Sequence, residues 1–209
     1  MIIERLCQLL TTLYNLHNVP DIRSYLLSQP PHAQAATVVL GNRRAWREAL
    51  FVRKAGDTLE LGLYIDPTMV THLEESSPCD LADDLGCVAE GVSHFLYIID
   101  RYQQERSLSV LELELQGEVD KFLVRGLLSL ETEGRIPIDL FERQFLSTHY
   151  DPHLSETERE CYETASHFAA KHCHRLRECF FPYRPGRLVE EARTFFAKNL
   201  QEKLGRLIP

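Results

Sequence analysis

Apolar residues recur at helical spacing over residues 2–17, at Ile2, Ile3, Leu6, Leu9, Leu10, Leu13 and Leu16, which predicts an amphipathic helix. Pro20 then opens a second short helix that reaches Leu27. The stretch SQPPHAQ breaks the pattern as a loop, and ATVVLG at 36–41 has strand composition. In ALFVRKAGDTLELGLYID the period changes to two. Gly56-Asp57 separates two runs, and Leu59, Leu61, Leu63 and Ile65 alternate with mostly polar or small residues. That pattern predicts a hairpin over 48–65, within a small antiparallel sheet of about three strands.

Helical spacing returns after the hairpin. Met69–Glu75 accounts for one or two turns, and Pro78 with Asp80 starts an apolar helix that runs to about Gln103. QERS is a tight connection. Ser109 with Glu112 forms an S-x-x-E capping box for a helix through about Leu130, so Glu112 reads as a cap. Gly134 ends that unit, and Pro137–Ser147 is another short helix. Ser155–Cys179 is a long helix with its own box, Ser155 and Glu158. FFPYRPGR breaks the chain before a final helix, Leu188–Leu204. The fold class expected is α+β: a small antiparallel sheet with a hairpin packed on a mainly helical body, and a helical C-terminal extension. The expected division is a core over 1–135 and an extension over 136–209.

Composition bounds the function. The chain has 209 residues, 44% of them hydrophobic and 26% charged, ordinary for one globular domain with an appendage. No apolar run approaches the roughly 20 residues needed to cross a bilayer. The N-terminus reads as an amphipathic helix rather than a signal peptide. Six cysteines, none in a CxxC pair, read as reduced thiols. A cytoplasmic location is therefore expected. The net charge of −8 is uneven: residues 165–209 hold nine Lys or Arg against four Asp or Glu. An acidic body argues against nucleic acid, while the basic end suits a protein partner. Trp46 among Arg43, Arg44 and Arg47 reads as a surface patch.

The candidate chemistry lies in the apolar helix. From Leu85 to Ile99 the sequence is LGCVAEGVSHFLYII, whose one formal charge is Glu90 and whose other strong ligand is His94. Four residues apart, they stack on one helical face. A carboxylate buried without compensation costs several kcal/mol or changes protonation state. The next helix carries Glu114, Glu118, Lys121 and Arg125 between apolar flanks, and its solvent face is expected around Glu112, Gln116 and Asp120. As antiparallel neighbours, the two helices bring 90–94 opposite roughly 117–121. Glu90, His94 and Glu118 are then candidate metal ligands, with Glu114 as a fourth ligand or base and Lys121 tuning the site. Carboxylates with an imidazole suit zinc first, with iron or manganese as alternatives. The competing reading is an internal salt-bridge network in a noncatalytic interaction or regulatory subunit, with Lys121 and Arg125 satisfying Glu114 and Glu118. Of the C-terminal histidines, His149 and His153 read as loop residues. His167, His172 and His174 read as one core histidine with exposed neighbours.

The order of elements resembles a minimal zincin, the peptidase-like ImmA/IrrE family, over roughly 36–130. Glu90-Gly91-Val92-Ser93-His94 stands where such proteins have H-E-x-x-H, and Glu118-Val119-Asp120-Lys121-Phe122 where they have their later acidic motif. The resemblance implies a metal held by Glu90, His94 and Glu118. It also implies lost peptidase activity: Gly91 stands at the catalytic glutamate, which activates the metal-bound water.

Overall fold

The computed structural model describes residues 1–30, 38–40, 47–56, 58–76, 82–146, 150, 152, 154–180 and 183–207. The order of elements is α1 (Ile2–Tyr14), a 3-10 turn (Ile22–Tyr25), β1 (Leu26–Leu27), β2 (Val38–Leu40), β3 (Glu48–Ala55) and β4 (Thr58–Ile65). Then come α2 (Pro67–Glu75), α3 (Ala82–Gln103), α4 (Val110–Glu133), α5 (Leu140–Phe145), α6 (Glu156–Phe180), α7 (Pro185–Ala197) and α8 (Leu200–Leu207). The fold is α+β, as the change of period predicts. His149, His153, Cys79 and the Arg43–Trp46 patch lie outside the described residues.

The hairpin forms where expected, β3 against β4 with Glu48 opposite Ile65 and Leu50 opposite Leu63, and Gly56 turning at φ 62. The sheet departs from expectation in being mixed, with strand order β1-β4-β3-β2 and β1 parallel to β4. The second helix predicted through Leu27 is a single 3-10 turn capped by Asp21, after which Leu26 and Leu27 extend along β4. Gly62 admits this extra strand: a Cβ there would lie 2.8 Å from Leu27 Cδ1.

Alternation along β3 decides what the sheet gives the core. Leu50 joins the main apolar cluster under the helices, while Ala49 and Phe51 form a small cluster with Tyr64 on the other face. Glu48 shares the parity of Leu50, so it points inward too and is 5% exposed.

The helical body centres on α4, which packs against α1, α3, α5 and α6. Its surroundings correct one expectation. Glu112, Gln116 and Asp120, expected to face solvent, are 3%, 0% and 1% exposed. A helix enclosed on all sides has no solvent face, so its polar stripes mark internal networks instead. Ser109 caps α4 through its Oγ, accepting from Glu112 N at 3.1 Å. The Glu112 carboxylate itself turns inward and accepts from Tyr97 Oη at 2.7 Å. Gly134 ends α4 in the left-handed region at φ 70.

The predicted final helix is two helices. Asn199 breaks it with a reciprocal box: its Oδ1 accepts from Glu202 N at 3.0 Å, and Glu202 Oε2 accepts from Asn199 N at 2.9 Å. Both segments lock onto the body. Lys203 Nζ donates to Tyr97 Oη at 2.7 Å and to Gln116 Oε1 at 2.8 Å. Arg101 donates to the carbonyls of Phe196 and Lys198, and Arg193 Nε to that of Leu13 at 2.7 Å. One apolar cluster runs from Ile2 to Phe196, so the C-terminal helices share the core. Among the described residues, no helix is long and apolar enough to cross a membrane.

Candidate functional site

The α3–α4 pair brings most of the expected residues together. Glu90, His94 and Glu114 each offer a ligand atom within 4.8 Å of the other two; among the described residues this is the cluster with metal-binding spacing. His94 Nε2 lies 3.8 Å from Glu114 Oε2. Gly117 makes the approach possible, since a Cβ there would lie 2.9 Å from His94 Nε2 and 3.6 Å from Glu90 Cγ.

Glu114 faces His94 directly, whereas Glu118 turns toward Lys121 and Gln144. Lys121 Nζ donates to Glu118 Oε1 at 2.5 Å and to Glu90 Oε2 at 3.1 Å. Gln144 Nε2 donates to Glu118 Oε2 at 3.3 Å and to its carbonyl at 2.8 Å. Four positions apart on a helix, the two side chains differ in direction by only about 40° and are offset by about one turn along the axis, so Glu114 and Glu118 flank the same stripe at different depths. Arg125 sits beside Gly86, where a Cβ would meet its guanidinium at 2.5 Å.

Sequence reasoning missed Glu48. Its Oε1 lies 4.0 Å from His94 Nδ1. The signal was available in its parity with Leu50, but a charged residue at the start of a strand reads as solvent-facing. Tyr162 on α6 was missed as well. Burial disfavours its phenolate, and so do the nearby charges of Glu114, Glu90 and Glu48.

The interior of the site is under-satisfied. Glu48 Oε1, Glu114 Oε1 and both ring nitrogens of His94 are buried without a well-formed hydrogen bond. Such groups are uncommon in folded proteins and cost about 1–3 kcal/mol each. Their protonation follows the burial. Burial pushes Glu48 and Glu114 well above the ordinary carboxylate range, and the Glu90 charge adds to the effect. Burial also opposes ionisation of Glu90, but the charge of Lys121, with hydrogen bonds to Lys121 and Glu114, outweighs it and holds its carboxyl below the usual value. Burial drives His94 down to about 4 against the pull of Glu90. At neutral pH the imidazole is therefore neutral, with a free lone pair.

Solvent reaches this site through a cleft of about 370 Å³ whose walls include Arg47, Glu90, Glu118, Lys121, Arg125 and Gln144. Glu90 and Lys121 stand at its inner end, with side chains 19% and 14% exposed. His94 and Glu114 lie behind them, at 0% and 2%.

Elsewhere, His172 is the core histidine of its helix, stacked on Phe195 at 3.8 Å between ring centroids, while His167 and His174 are exposed. Cys7, Cys87, Cys161, Cys173 and Cys179 are free thiols. Burial raises Cys87, beside the cleft, to about 11, which disfavours a nucleophilic thiolate.

No protein-family model matches the chain, and neither a curated protein nor a solved structure matches it.

Proposed function

We propose that the protein is a cytoplasmic, zincin-like metal-site protein that holds one divalent cation, zinc first and iron or manganese as alternatives, and lacks ordinary peptidase activity. The observation that carries this reading is the convergence of His94, Glu114 and Glu90, where both His94 ring nitrogens and Glu114 Oε1 are buried without a hydrogen-bond partner. A neutral imidazole and two carboxylates on rigid helices form a set to which a divalent cation adds the missing partner. In this reading Glu90, His94 and Glu114 are the ligands. Glu118 anchors Lys121, and becomes a ligand only if Lys121 moves away. Gly91 offers no base for a bound water. The test is thermal melting of tag-free protein with added zinc and with chelator. The reading expects zinc to raise the melting temperature through linkage, and His94→Ala to abolish that rise. A peptide-library digest with zinc-loaded protein is expected to give no turnover.

A second reading is supported by the Lys121 bridge between Glu90 and Glu118, which satisfies two of the four acidic groups without any cation. The site is then structural, and the basic C-terminal helices serve a protein partner. In this case chelator and zinc leave the melting curve unchanged.

A further inference from the structure

We infer that Glu48 is a positioning residue for His94, its Oε1 accepting the Nδ1 hydrogen once a cation is bound at Nε2 beside Glu114. The inference rests on the metal-site reading above and adds to it a residue on the opposite side of the imidazole.

Three observations meet at this point. Glu48 Oε1 lies 4.0 Å from His94 Nδ1, while Nε2 on the far side of the ring lies 3.8 Å from Glu114 Oε2. Both Oε1 and Nδ1 are buried without a hydrogen-bond partner, and an approach of about 1 Å would bring them to hydrogen-bonding distance. Finally, Gly91 on α3 makes space for this carboxylate: a Cβ there would stand 2.9 Å from Glu48 Cγ, 3.3 Å from Oε1 and 3.1 Å from Leu63 Cδ1. The glycine that removes a carboxylate from the helix thus admits one from the strand.

The chemistry follows from the ring. A neutral imidazole carries one hydrogen, and a nitrogen that coordinates a cation cannot hold it. With Nε2 coordinating, the hydrogen sits on Nδ1 and needs an acceptor. A carboxyl oxygen there fixes both tautomer and ring orientation, and in its ionised form, which a nearby cation favours, raises the basicity of the coordinating nitrogen. Glu48 is well mounted for this. It lies in a strand paired through Ile65, whose end is tied by Asp66 N donating to Arg47 O at 2.8 Å.

The experiment is calorimetric titration of zinc into tag-free protein and into Glu48→Ala, Glu48→Gln and Gly91→Ala, with melting of each metal-free variant as a folding control. The expected result is unchanged stoichiometry and affinity about 10–100-fold weaker in Glu48→Ala, the range for loss of such an outer carboxylate. Glu48→Gln, which keeps an acceptor oxygen, is expected to recover part of the loss. Gly91→Ala is expected to weaken binding by displacing Glu48, with every ligand intact. In zinc-loaded protein labelled with ¹⁵N-histidine, the His94 Nδ1–H signal, assigned with His94→Ala, is expected to be protected in the native chain and to exchange rapidly in Glu48→Ala. Tight zinc binding by the native protein, with equal affinity in Glu48→Ala and Gly91→Ala, overturns the role of Glu48 alone. Absence of zinc binding by the native protein overturns it together with the metal reading.

Discussion

Lys121 Nζ meets Glu90 Oε2 at 3.1 Å across the α3–α4 pair, so the carboxylate nearest the cleft already carries a cation. This contact is the main competitor of a metal. Lys121 also holds Glu118 at 2.5 Å and can keep that partner if Glu90 turns inward. Replacing Lys121 by Met is therefore expected to lower the melting temperature of metal-free protein, because two partly buried carboxylates lose their counter-charge. It is expected at the same time to tighten zinc binding by about tenfold, or ~1.4 kcal/mol. Calorimetry and melting on the same sample check both. Destabilisation with no zinc effect would support the purely structural network.

Binding is expected to be coupled to proton release. Burial, followed by the Glu90 charge, raises Glu114 well above its ordinary value, so a cation must displace its proton. His94, at about 4, is already neutral at neutral pH and releases none. Zinc affinity should thus rise with pH up to the raised value of Glu114 and level off above it. Titrations in buffers of different ionisation enthalpy measure the protons released. Affinity independent of pH between 5 and 8, with no proton release, would remove Glu114 from the ligand set.

Gly117 separates site geometry from stability. Alanine at this helical position gains about 1 kcal/mol of intrinsic helix preference, but its Cβ would stand 2.9 Å from His94 Nε2. Gly117→Ala is expected to change the melting temperature little and to weaken zinc binding at least tenfold. Unchanged affinity would mean that Nε2 is not the coordinating atom.

The second interior network gives a pH signature away from the site. Burial pulls Lys203 down to about 7, against the charge of Glu112, whereas an unfolded lysine titrates near 10.4. Between these values the unfolded chain binds the proton that the folded chain has released, so stability from this group rises with pH. Below about 7 the burial cost is fully present. Buried thiols such as Cys173, raised by burial, act in the opposite sense, so the difference between native protein and Lys203→Met isolates the lysine. The expected difference in unfolding free energy shifts toward the native protein between pH 7 and 9.5, as measured by urea denaturation. A constant difference would mean that Lys203 stays charged in the folded state.

The elements most legible in the sequence are those whose pattern has one period and one exposed side. The hairpin and α1 are of this kind, and the Ser155–Glu158 box at the start of α6 forms in full. The convergence of Glu90 and His94 with the next helix was legible because a charge inside an apolar stretch demands a partner. Legibility failed where burial is complete. On α4, the stripe Glu112–Gln116–Asp120 has the spacing of a solvent face, yet it meets Tyr97, Lys203, Tyr14 and Ser93 inside the protein. Those partners come from three other helices, and local pattern carries no record of them. Glu48 failed for the same reason, since its partner is 46 positions away in the sequence. The Asn199–Glu202 box was readable as a helix start, but continuous apolar spacing across it hid the break.

The most direct measurement of the central claim is metal content. Protein purified without an affinity tag, beside His94→Ala and Glu114→Ala, would be loaded with zinc, passed through a desalting column and analysed for the element. About one equivalent is expected in the native chain and a small fraction of that in both variants, with all three folded by circular dichroism. Retention at the same level in all three, or no zinc in the native chain, would contradict that claim.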